Sequence, residues 1–269
     1  MITLSQTAFQ DYVPAFRDSE PRTYDAILPY MERYLREADT KLHVPETFED
    51  TTRLEAFVYQ SAAFDALPHV DLVLTESGFA VVSNQNLAPA SRDRVDRLRE
   101  QLRQEKSVAR DALLVELVKN EEWRENFGPQ FRTSLLWTPS LCRSHGITTA
   151  NNSHVFDEEY DALRANIDAV QAEVTKIISQ EQMDWLLRNQ DAIEPGDMRA
   201  ALCDKVRYLM AAIVMRLGAA TRTLRENLQS FLNLRAEDLP EYRDSSKYAA
   251  DHFQPYENKA EDSCFFFGA

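Results

Sequence analysis

Cys142 and His145, three residues apart, are the chain's nearest approach to a nucleophile with a base beside it. The chemistry they would do is thiolate attack, as in a hydrolase or transferase. Such a site also needs a group that orients the imidazole and donors that hold an oxyanion, and residues 120–153 single out neither. His154 and the distant Cys203 add further metal-ligand types, but the spacing lacks the paired pattern of a zinc finger. The six glycines, at 78, 128, 146, 196, 218 and 268, form neither a GxGxxG turn nor a Walker loop. Carboxylate runs such as Glu121-Glu122 and Asp157-Glu158-Glu159 follow from the acid content, and the second opens a helix, where acidic side chains suit the N-terminal dipole. We therefore expect no catalytic residue, no metal and no cofactor. A structural, assembling role leads. The alternatives are a hydrolase or transferase with its site in 120–153 and a regulatory protein-binding module that clasps a basic or helical partner.

Composition narrows the partners. The 269 residues are 44% apolar, enough for one large domain or two small ones. The formal net charge of −14 disfavours binding to phosphate backbones and anionic lipid alike. No window holds eighteen consecutive apolar residues, and the first residues lack a basic region followed by an apolar one, so neither a membrane span nor a signal peptide is expected. Cys142, Cys203 and Cys264 are odd in number and widely spaced, which suits reduced thiols and synthesis in the cytoplasm. Charge is uneven along the chain: residues 88–110 carry +3 and 198–235 carry +5, whereas 154–197 carry −8. This pattern predicts basic helices turned toward acidic segments of the same or a neighbouring subunit.

The elements that must position these residues are mostly helical. Apolar spacing of three and four predicts helices near 24–39, 52–66, 91–119, 158–190 and 197–233, the last two forming a long antiparallel αα-hairpin. Asp50, Thr51, Thr52 and Ser91 are cap candidates, and Pro68 is expected to stop the second helix. One strand signal stands out, an apolar run on either side of Ser77-Gly78, which predicts a β-hairpin at about 71–83. The fold class is thus mainly α, a multi-helix bundle with one small hairpin. Three parts follow: residues 1–150 with the hairpin, 151–235 as the αα-hairpin, and 236–269 as an extended polar tail with an aromatic end.

The stretch Phe64–Asn84, followed by Ala88-Pro89-Ala90-Ser91, resembles an uncharacterised family encoded in phage and prophage structural modules, and the ending Asp262–Gly268 is similar to that family's ending. The resemblance covers about a third of the chain. It implies a head–tail connector or adaptor, a helical protein that joins a ring, with copies of itself and neighbouring structural proteins as partners and the virion as its destination. It carries over no catalytic residues. Cys264, Phe265, Phe266 and Phe267 are then partner-binding candidates, with a plug in the helical core of their own subunit as the alternative, because each phenylalanine left in water forgoes roughly 1.5–3 kcal/mol of burial. An extended peptide of this kind can add to a sheet edge. The hairpin residues Leu72, Leu74, Phe79 and Val81 are the matching candidates on the receiving side, in the same or an adjacent subunit.

Overall fold

The computed structural model describes residues 2–17, 21–70, 72–75, 78–81, 92–149, 155–194 and 196–253. It is mainly helical, and the chain divides into two units, Met1–Ala165 and Asn166–Ala269. The division falls inside a helix, beyond residue 150 where the sequence suggests a boundary.

In the first unit, helix α1 (Gln6–Tyr12) is capped by Ser5, whose Oγ accepts from the Ala8 amide. Phe9 carries it into the core, 5.4 Å from Phe16 and 6.0 Å from Tyr59 between ring centroids. Helix α2 (Pro21–Thr40) buries Ile27, Met31, Tyr34 and Ala38, the stripe its spacing predicts. Helix α3 (Thr51–Val70) packs against α2 on one side and α4 (Arg92–Leu117) on the other. It is therefore buried on more than one face, with Ala62, Ala63 and Ala66 small enough for close approach. Pro68 does not stop α3 at Ala66. It lies on an exposed face of the last turn, and the helix runs on to Val70. The cap candidate Ser91 lies outside the described residues.

Directly after α3, β1 (Leu72–Thr75) pairs antiparallel with β2 (Gly78–Val81), shorter than the expected 71–83. Beyond α4, prolines and glycines cut the aromatic-rich region into α5 (Glu121–Asn126), α6 (Gly128–Phe131) and α7 (Pro139–Ser144). Asn120 caps α5 and Thr138 caps α7. Trp123 is fully buried, and its Nε1 donates to the Leu42 carbonyl at 2.7 Å, which fixes α5 to the end of α2. Helix α8 (Asp157–Ile178) begins in this unit with three acidic residues in its first turn.

The second unit corrects the long αα-hairpin. Each expected arm is broken in two. The first arm is α8 followed by α9 (Gln180–Asn189), the second α10 (Met198–Val214) followed by α11 (Gly218–Leu234). At the first break Ser179 turns to φ 82° and its Oγ accepts from the Gln182 amide, so one residue ends a helix and caps the next. At the second, Arg216 takes φ 55°. Its amide donates to the Ile213 carbonyl and that of Leu217 to Ala212, both at 2.9 Å, the two bonds of a Schellman C-cap. Residues 236–251, read from sequence as extended tail, fold as a 3-10 turn (Ala236–Asp238), α12 (Pro240–Arg243) and α13 (Ser246–Asp251). Leu239 and Tyr242 anchor them by burial. Among the described residues no helix is long and apolar enough to cross a membrane.

Candidate functional site

The ribbon register forms the cross-strand pairs Leu72↔Val81 and Leu74↔Phe79, so the four candidate positions fall on one face of it. Among the described residues neither strand pairs with a third. Cys264, Phe265, Phe266 and Phe267 lie outside the described residues.

The structure gives Cys142 and His145 other occupations. Cys142 is buried in α7 with its Sγ 3.8 Å from the Leu136 carbonyl. Burial, aided by the charge of Asp111, pushes the thiol up to about 12, far from a thiolate at neutral pH. His145 Nδ1 lies 2.8 Å from the Leu141 carbonyl and 3.0 Å from Ser144 Oγ. Cys203, in α10, is likewise buried and pushed up to about 11. His154 lies outside the described residues. Among the described residues no three or more His, Cys, Asp or Glu side chains are grouped to hold a metal ion.

Two polar clusters that spacing does not reveal sit on α4. In the first, Asp65 of α3 accepts from the Tyr34 hydroxyl at 2.7 Å and from Lys106 Nζ at 3.3 Å, and is ion-paired to Arg33. Burial alone would raise this carboxyl; the hydrogen bond from Tyr34 and the two cations outweigh it and hold Asp65 below its ordinary value. The Lys106 ammonium also stands 5.3 Å from the centre of the Tyr34 ring and 5.1 Å from that of Phe64. In the second cluster, Asp111 is 3% exposed and accepts the Ser140 amide on Oδ2 at 2.8 Å, while its Oδ1 has no hydrogen-bond donor. Burial pushes it up to about 6. Arg143 Nη2 stands 3.9 Å from Asp111 and donates to Ser140 Oγ, and its Nη1 donates to the Val155 carbonyl at 2.7 Å. Nearby, Arg110 approaches Asp157 at 3.6 Å.

These contacts use the basic side of α4 to hold acidic groups of the same chain. Arg103 completes the set, reaching Glu158 at 3.1 Å and Glu159 at 2.8 Å in the first turn of α8. In the second unit Arg199 of α10 pairs with Glu241 at 3.1 Å and Arg225 of α11 with Glu173 at 2.6 Å. Chemically, the described contacts are helix-to-helix ties within each unit.

Residues 27–132, from α2 to just past α6, match a family of unknown function (DUF6712), to which this part of the chain is similar. No curated protein and no solved structure matches the chain.

Proposed function

We propose that the chain is a non-enzymatic structural or assembly subunit of a phage-type particle, of the head–tail connector or adaptor kind. It would act by packing against copies of itself, as in a homo-oligomeric ring, and against neighbouring structural proteins. The observation that carries the reading is the resemblance at Phe64–Asn84 and Ala88–Ser91, which lies wholly inside the matched segment 27–132. The ribbon built from the same stretch supports it, because among the described residues neither strand has a third partner, and an unpaired edge is a ready surface for main-chain pairing with a neighbour. So does the state of Cys142, whose buried thiol is the reverse of an activated nucleophile. The partner-binding elements are then the ribbon positions Leu72, Leu74, Phe79 and Val81 and the terminal Cys264–Phe267.

Light scattering and electron microscopy of the purified chain, with mass spectrometry of purified particles from the producing cells, test this. Closed oligomers and recovery of the chain in particles are the expected results. A chain that stays monomeric at every concentration and is missing from particles would overturn it.

A further inference from the structure

Helix α11 is thinly covered: of its 17 residues only Leu228 and Leu232 are buried. Its apolar positions still make a stripe. Leu217, just before the helix, and then Ala220, Leu224, Phe231 and Leu234 recur at helical spacing along one side. Leu217 is 50% and Leu234 78% exposed, with Leu224 and Phe231 half-buried. Cations edge this stripe, since Lys205 of α10 stands 5.2 Å from the Phe231 ring centre and Arg216 is exposed at the turn before α11. An apolar strip of this kind, one helix long and edged by positive charge, suits an acidic peptide that carries aromatic residues.

The path of the chain says which peptide. Lys247, Asp251 and His252 share a groove of about 370 Å³ with Gln229, Leu232 and Asn233 of α11. The chain therefore reaches Phe253 from a groove against the C-terminal part of α11. Residues 254–264 can span roughly 35 Å when extended, at about 3.3 Å each. A helix of this length is only about 25 Å long, at 1.5 Å per residue. The three phenylalanines at 265–267 can thus round the end of α11 and reach the stripe of their own molecule. Glu257, Glu261 and Asp262 precede them and match the cations along the way.

We propose that residues 262–268 dock on the α11 stripe of the same molecule, with Cys264 beside Ala220 and Phe265–Phe267 running from there over Leu224 toward Phe231. The docking stands independently of any role in a particle. It gives the free chain a place to keep its aromatic end, from which a partner must draw it.

Cys264 supplies the test, because Cys142 and Cys203 are buried and do not compete for oxidation. In the full-length chain Ala220→Cys places a second thiol on the stripe, and Glu226→Cys places one on the opposite side of α11 as a control. After oxidation with copper–phenanthroline at low protein concentration, non-reducing gels and intact mass should show an intramolecular disulfide in most A220C molecules and few E226C molecules. Equal yields in both, disulfide-linked dimers of A220C, or no cross-link in either would overturn the proposal. The second measurement needs no new cysteine: hydrogen exchange of the full-length F265S/F266S/F267S variant should quicken at least several-fold in α11 while α2 and α3 are unchanged. Unaltered α11 exchange would also overturn it.

Discussion

Asp65 and Asp111 are two carboxylates held within the first unit's helices, and their surroundings move them in opposite directions. Asp65 is half-buried and meets a hydroxyl and two cations, one from each of Tyr34, Lys106 and Arg33, so it stays ionised below its ordinary range. Asp111 is almost fully buried, accepts one backbone amide and keeps a cation only at 3.9 Å, so its charge is poorly compensated. Burial penalises both charges. What separates them is the number of donors that reach the oxygens. The same helix, α4, provides both environments, with Lys106 pointing into one and Asp111 forming the other.

The largest expected effect tests the Asp111 side. Its folded value of about 6 lies above the ordinary 3.8, so the native state keeps a proton that the unfolded chain has released. Stability from this group is then greatest below about pH 4 and is lost as pH rises through about 6, by about 3 kcal/mol at 1.36 kcal/mol per pKa unit. Asp157, raised by its own burial, adds to the slope in the same direction. Asp111→Asn keeps an acceptor for the Ser140 amide but cannot ionise. Urea unfolding between about pH 4 and pH 8 should give a shallower pH dependence for D111N, and a stability above wild type at neutral pH. The same slope in both proteins would break the contrast.

On the other side, Lys106→Met removes one of the two cations that offset the burial of Asp65 and exchanges it for a side chain of similar length. A hydrogen bond to a charged group is worth roughly 1.5–3 kcal/mol, so we expect a loss of about 2 kcal/mol at neutral pH, read from the shift in urea midpoint. The pH sign is the reverse of that for Asp111. With its folded value lowered, Asp65 contributes stability that is present above about 3.8 and disappears as pH falls through the folded value. NMR titration of the Asp65 carboxyl should show it moving back toward its ordinary range in K106M. An unchanged titration would mean that Tyr34 and Arg33 alone hold it down.

Much of this architecture can be read from residue order, and the parts that cannot share a cause. Helix positions follow the three-and-four spacing of residues such as Ile27, Met31 and Tyr34, because each helix needs only its own stripe to declare itself. The apolar spacing continues through the breaks at Ser179 and Arg216, so that the run Ser179–Gln182 signals only a candidate new cap at the first. At the second, an arginine takes the left-handed position where a glycine would have signalled the end. Tyr34, Asp65 and Lys106 come from three helices and lie dozens of positions apart, so packing alone unites them. The surroundings of Cys142 and His145 are illegible for a related reason. Among the groups that engage these side chains are the carbonyls of Leu136 and Leu141, and backbone acceptors leave no mark on the sequence.

The smallest expected effects come from ion pairs, where the shorter contact is the weaker one. Arg103 reaches two carboxylates in the first turn of α8, its guanidinium stands 4.2 Å from the centre of the Phe156 ring, and its side chain is 28% exposed. Arg225 meets Glu173 at 2.6 Å, but the two side chains are 41% and 50% exposed. Water screens the second pair, and ordering two long side chains offsets most of its attraction. The first pair is drier, and one side chain serves two carboxylates and a ring, so its ordering entropy is shared among three contacts. Arg103→Ala should therefore lower stability by about 1 kcal/mol and Arg225→Ala by less than about 0.5 kcal/mol, both read at low salt. Raising the salt to about 1 M should erase the R225A difference and leave much of the R103A difference, because the contact with the Phe156 ring is screened little. If R225A instead proves the costlier, distance rather than exposure governs these pairs, and the ranking drawn from Asp65 and Asp111 does not extend to the surface.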